Sequence, residues 1–262
     1  GDYARLIIGT GRLCSTRLLS PWRNSATVAF SSAYIQINRT FHELAFDPED
    51  DDNTALGRRS LNRQPLQWQE LLSHHRVVIL SEAGSGKTQE IRHVARMLRD
   101  EGKHAFFIRL EHVRSDIEDA FDEGDYAEFQ AWVSSGEEGW LLLDSVDESR
   151  LRDPNDFEIA VKRIGRLMAP VVPSAHVILT WRSTAWRAKV DYFLCHQHLP
   201  YKAIVTDDQQ DDQDLNVVSK PKLQASPYII VSLEDIHGNQ MKEFLVGKGV
   251  KDIHAFLNAV EQ

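Results

Sequence analysis

Three short stretches of this chain combine the residue types that bind phosphate, hold a hard metal ion and activate water. The first is Ser81-Glu82-Ala83-Gly84-Ser85-Gly86-Lys87-Thr88. Gly84 and Gly86 let the backbone turn so that successive amide N–H groups face inward on phosphate oxygens, and a helix starting near Lys87 adds its positive N-terminal end. Lys87 supplies a point charge for the β and γ phosphates of a nucleotide, and Thr88 offers a hydroxyl to magnesium. Ser81 stands where the usual pattern has glycine, which costs steric energy if that position needs a positive φ. The implied ligand is a nucleoside triphosphate, ATP first, with Mg²⁺.

The second stretch is Trp140-Leu141-Leu142-Leu143-Asp144-Ser145-Val146-Asp147-Glu148. A hydrophobic strand ending in Asp144 delivers a carboxylate to the magnesium shell beside the loop, since hard cations take oxygen ligands. Asp147 and Glu148, just past the strand end, are placed to orient or deprotonate an attacking water. Alone, these acids would read as a solvated turn; the upstream loop makes them a catalytic expectation. The third stretch, Val177-Ile178-Leu179-Thr180-Trp181-Arg182, is another strand ending in polar and cationic residues. Strand ends of a parallel sheet gather on one edge, where ligands bind. Arg182 therefore either meets the γ-phosphate, with Thr180 helping to hold it, or pairs with an acid on the surface.

The elements that must position these residues follow from the apolar pattern. Leu66 to Leu72 has helical spacing, and Arg76 to Leu80 is a β-branched run. Similar runs recur at Ala105 to Ile108, Trp140 to Leu143, Val177 to Thr180 and Tyr228 to Val231, with helical patterns between most of them, including Gln89 to Arg99 and Asp156 to Met168. Continuous apolar strands alternating with helices predict an α/β fold with a parallel sheet of about five strands covered on both faces, the three-layer arrangement of P-loop nucleotide-binding domains. The acidic, proline-containing run Asp47 to Asp52 marks a linker, so 1–60 is expected to be an N-terminal extension and 61–232 the nucleotide-binding domain, with 233–262 following it. That last part suits two short helices broken near Gly247 and Gly249.

Composition sets limits on this reading. The chain has 262 residues, 42% apolar and 26% charged, which supports a full globular core. Its formal net charge of -9 argues against global, charge-driven nucleic-acid binding. No apolar run approaches a membrane span, and the start lacks a signal core, so a cytoplasmic location is expected. Cys14 and Cys195 are too few for a disulfide framework. Among weaker signals, Gly9-Thr10-Gly11 is a turn and Asp207 to Asp214 a solvated acidic loop. Cys195-His196-Gln197-His198 lacks the second ligand pair of a zinc site. His74-His75 reads as solvated or helix-capping, and Trp181, Trp186 and Arg187 read as packing residues rather than a stacking platform.

Together, Ser-Glu-Ala-Gly-Ser-Gly-Lys-Thr, Leu-Leu-Leu-Asp-Ser-Val-Asp-Glu and Ile-Leu-Thr-Trp-Arg resemble the motifs of the NACHT-type branch of the STAND ATPases, the signal-transducing P-loop ATPases of innate immunity and bacterial antiviral defence. The likeness covers roughly Gln64 to Gln262 and implies that 233–262 is the start of the helical domain that follows the nucleotide domain in this family. It implies an ADP/ATP switch, a slow Mg²⁺-dependent ATPase, that self-associates after a trigger and activates effector or sensor parts outside this chain. The implied roles are phosphate binding by Lys87, metal binding by Thr88 and Asp144, water activation by Glu148 with Asp147, and γ-phosphate sensing by Arg182. Neither an effector nor a sensor array is legible, and the chain opens on Gly1, which fits a fragment of a larger protein. The rival readings are a nucleotide-binding module with little hydrolysis and a nucleic-acid-acting P-loop ATPase.

Overall fold

A computed structural model describes residues 34–46, 64–144, 155–201, 228–253 and 256. Among these residues seven strands form one mixed sheet: β1 (Phe41–Glu43), β2 (Arg76–Ser81), β3 (His104–Arg109), β4 (Phe121–Glu123), β5 (Gly139–Asp144), β6 (Ala175–Arg182) and β7 (Ile229–Leu233). Their spatial order is β1-β7-β2-β6-β5-β3-β4. The five inner strands are parallel. They coincide with the five apolar runs of the sequence. β1 and β4 add antiparallel edges that the sequence reading did not foresee. Residues 34–46, assigned by sequence to an extension, thus contribute β1 to the sheet.

Every residue of β2 and β5 is buried, as expected where helices cover both faces of a parallel sheet. Because side chains alternate along a strand, each run splits between two cores. Val78, Leu80, Phe106, Ile108, Leu141, Leu143, Val177 and Leu179 face one way. Against them lie α3 (Leu110–Val113), α4 (Tyr126–Ser135), α5 (Asp156–Leu167) and α6 (Ala188–His198). The opposite face packs on α1 (Trp68–Ser73) and α2 (Lys87–Asp100). Ile91, Val94, Ala95 and Leu98 form the apolar stripe of α2 at i, i+3, i+4, i+7 spacing and cover Ala105, Phe107, Trp140 and Leu142. Each fully buried valine, leucine or isoleucine among them contributes on the order of 1.5–3 kcal/mol.

Helix ends follow local chemistry. Asp125 Oδ1 accepts from the Glu128 amide at 2.8 Å to start α4, and Gly136, left-handed at φ 75, ends it. Helices α5 and α6 cross closely at Gly165, where an added Cβ would lie 1.9 Å from the His198 carbonyl oxygen. After β7 the chain turns into α7 (Gly238–Gly247), whose Met241 and Phe244 pack with Ile35, Ile37 and Ile236 in a satellite core. Among the described residues no helix is long and apolar enough to cross a membrane.

At the N-terminal rim of the parallel strands, Arg76 is buried at 1% exposure. Its guanidinium donates to the carbonyls of His75, Val172, Ala175, Leu199 and Pro200. One cation thereby ties β2 to the start of β6 and to the end of α6. His75 stacks between His176 and Tyr201, both at 4.3 Å between ring centroids, so it is a packing element rather than a solvated or capping residue. His74 takes the position that ends α1.

Candidate functional site

The first stretch becomes the end of β2, a tight loop and the start of α2. Ser81 closes the strand, paired in register with Arg182 of β6, and its carbonyl accepts from the Ser183 amide at 3.1 Å. It is extended ladder backbone, so the anticipated steric penalty of serine in place of glycine does not arise. The positive φ values fall at Gly84 (77°) and Gly86 (84°), where a side chain would be strained. Gly86 is the N-cap of α2, and its carbonyl accepts from the amides of Gln89 and Glu90 at 3.0 Å. Glu82, Ala83 and Gly84 are exposed while Ser85 is buried. The result is a glycine turn delivering the chain to the N-terminus of a 14-residue helix, where unpaired amides and the helix dipole favour an anion.

Asp144, the last residue of β5, lies 9% exposed at the same rim. Thr88 Oγ1 donates to its Oδ2 at 2.8 Å and Thr180 Oγ1 to its Oδ1 at 2.6 Å. Burial raises the Asp144 pKa, and the Thr180 and Thr88 hydroxyls and the nearby Lys87 and Arg109 cations oppose that rise. Burial lowers the Lys87 pKa, Asp144 counteracts it, and the Arg182 cation pushes the same way as burial. Lys87 is therefore close enough to feel both the Asp144 carboxylate and the Arg182 cation. Among the described residues no carboxylate takes a hydrogen bond or ion pair from the Lys87 ammonium.

The hydroxyl of Thr88 and the carboxylate of Asp144 form the beginnings of an all-oxygen donor set, the type that suits Mg²⁺ with its retained waters. The buried hydroxyls of Ser81 and Ser85 have no partner among the described residues, so the loop has hydrogen-bonding capacity to spare for a phosphate oxygen or a water. These residues fit a magnesium-bound phosphate chain.

The structure thus brings together Ser81 to Thr88, Asp144 and Arg182 from three strand ends. Asp147 and Glu148 lie outside the described residues. Thr180 departs from the expectation that it holds a γ-phosphate, because it is fully buried and spends its hydroxyl on Asp144. Trp181 and Trp186 pack edge to face at 5.3 Å, and Phe157 meets Trp181 the same way, as the packing reading expected. Arg187 pairs with Asp191. Cys195 is fully buried in α6, where burial pushes its thiol pKa far up, and no cluster of three metal-capable side chains occurs among the described residues.

One residue of the site was missed by sequence. Arg39, 4% exposed, donates from Nη1 to the Ser85 carbonyl at 3.1 Å and from Nη2 to the Glu234 carbonyl at 2.6 Å. It clamps the loop to the end of β7. Burial lowers its pKa, and Glu90 is the foremost charge opposing that. Glu90, one turn into α2, accepts from Tyr34 Oη and Trp68 Nε1, both at 2.8 Å. The signal in the sequence was alternation: Ile37, Arg39 and Phe41 occupy one face and are all buried, which marks the arginine between two apolar residues as an inward cation.

Set against models of known protein families and against curated proteins, the chain matches none.

Proposed function

We propose that this chain binds ATP with Mg²⁺ through the loop Ser81 to Thr88 and hydrolyses it slowly, as the nucleotide-binding part of a NACHT-type STAND switch. The observation that carries the reading is the 2.8 Å contact between Thr88, at the start of the helix after the glycine loop, and Asp144, at the end of a strand two places away in the sheet. Two hard oxygen donors from distant parts of the chain meet beside a half-buried lysine and a helix N-terminus. Phosphoryl transfer to water asks a protein for this kind of positioning and charge neutralisation.

In this reading the amides of the Gly84–Gly86 turn and of the first turn of α2 take the phosphate oxygens. Lys87 draws the β and γ phosphates in, and Arg182, at the end of the neighbouring strand, contacts the γ-phosphate. Thr88 and Asp144 hold Mg²⁺, which when bound neutralises charge between the β and γ phosphates. Glu148 with Asp147 accepts the proton of the attacking water. Self-association on activation, effector and sensor parts beyond this chain, and a cytoplasmic location belong to the same proposal.

The test is nucleotide binding with Mg²⁺, together with the identity of any nucleotide carried through purification. The wild-type chain binds ATP or ADP, and Lys87→Ala binds about ten- to hundredfold more weakly, because a hydrogen bond to a charged group is worth roughly 1.5–3 kcal/mol. Absence of both nucleotides, retained or added, overturns the proposal. Turnover separates its two forms: Glu148→Gln that hydrolyses ATP as fast as wild type leaves a binding module rather than an ATPase. Stimulation of turnover by nucleic acid would point instead to a motor on DNA or RNA, which the net charge of -9 disfavours.

A further inference from the structure

The strand order places β6 between β2, which carries the loop, and β5, which carries Asp144. Neighbouring strands lie about 4.8 Å apart, so the loop strand and the acid strand are separated by roughly twice that. Any contact between Thr88 and Asp144 must pass over the end of β6. The β6 residue in register with Asp144 is Thr180, and partners in register on adjacent parallel strands send their side chains to the same face. That position has 0% exposure, in a strand whose neighbours Val177, Ile178 and Leu179 are all apolar and buried. A hydroxyl there needs a buried acceptor, and it finds one in Asp144 Oδ1 at 2.6 Å while Thr88 takes Oδ2 at 2.8 Å.

We infer that Thr180 is a positioning residue for the metal site: it acts on Mg²⁺ through Asp144 and touches neither nucleotide nor metal. The inference rests on the nucleotide-binding reading above and assigns Thr180 a duty within it. The two oxygens of the carboxylate have unequal tasks. Thr180 occupies Oδ1 from beneath and fixes the rotation of the carboxylate. Oδ2, whose protein partner is the hydroxyl of Thr88, is the oxygen to be turned over to the metal. A larger residue at 180 would block the passage from β5 to the loop. An apolar one of the same size would leave Oδ1 buried without a donor and the carboxylate free to rotate. Residues that orient metal ligands typically change metal affinity about 10- to 100-fold when removed.

The experiment is a Mg²⁺ titration of the full chain with a fluorescent ATP analogue, paired with nucleotide binding in EDTA. In Thr180→Val the Mg²⁺ concentration for half-maximal binding enhancement rises about tenfold or more, nucleotide affinity in EDTA stays at the wild-type value, and Thr180→Ser restores the midpoint. In an Asp144→Asn background, Thr180→Val adds nothing further. An unchanged Mg²⁺ midpoint overturns the inference. So does an equal loss of affinity with and without Mg²⁺, which marks Thr180 as a mere packing residue. If Thr180→Val does not fold, Thr180→Ala, which removes the same donor, carries the same expectations. A wild-type chain that binds no nucleotide at all fails the parent reading. Nucleotide binding that survives with a Mg²⁺ response indifferent to residue 180 fails this one alone.

Discussion

Replacing Arg39 by methionine tests whether the loop is held in shape from outside itself. The substitution keeps an unbranched side chain in the buried slot but removes the donors to the Ser85 and Glu234 carbonyls. Each hydrogen bond from a charged donor is worth about 1.5–3 kcal/mol. Part of that sum returns because a buried guanidinium, whose pKa burial already lowers, no longer has to be desolvated. The expected net loss is about 2–3 kcal/mol, or a fall in melting temperature of roughly 4–12 °C for a chain of this size. The second effect falls on ligand binding. With its carbonyl released, Ser85 must be ordered when nucleotide arrives, at about 1–2 kcal/mol per residue, which weakens affinity about 5- to 30-fold. Calorimetric melting and nucleotide titration measure the two effects separately. Unchanged melting and unchanged affinity would refute the clamp altogether, and lost stability with wild-type affinity would refute its action on the loop.

Two further perturbations probe the scaffold. Gly165→Ala, although it favours helix by about 1 kcal/mol, forces α5 and α6 apart because the new Cβ meets the His198 carbonyl at 1.9 Å; a net destabilisation of about 1–2 kcal/mol is expected in denaturant unfolding, and an equal or higher midpoint would contradict the crossing. His75 has its pKa lowered by burial, with His176 and Arg76 acting in the same direction. Its folded pKa is then below the unfolded value of 6.5. The unfolded chain binds more protons in that window, so this residue's contribution is present above it and is lost as pH falls through the folded pKa. His75→Phe, which keeps a ring between His176 and Tyr201, should flatten that loss in melts between pH 7 and 5, and a pH profile identical to wild type would count against it.

Legibility in the sequence tracked how local the cause was. The five inner strands were readable because burial on both faces demands continuous apolar runs. β1 and β4 were not, since three residues such as Phe121-Asp122-Glu123 at a sheet edge carry no period. Within β4, Asp122 joins Arg92 and Arg109 in ion pairs, which reads as solvated surface in sequence. The loop was legible because glycine is required where φ is positive, at 84 and 86. Whether Ser81 needed a positive φ could not be read from spacing, and it is the last rung of a ladder. Arg39 and Thr180 were respectively missed and assigned another partner for one reason: what each touches is fixed by strand order, which spacing along the chain does not encode.

The pairing of β1 with β7 has a topological corollary. Gly247, the last residue of α7, lies so close to Ile35 that an added Cβ would meet it at 2.8 Å. Residues 35 and 247, far apart in sequence, therefore lie side by side. A part inserted just before Tyr34 and one inserted just after Gly247 would start side by side, with no sheet between them. Two such parts would share a local concentration set by their linkers, and a chain trimmed to 34–247 and circularly permuted through a short joint there would keep every described strand in place.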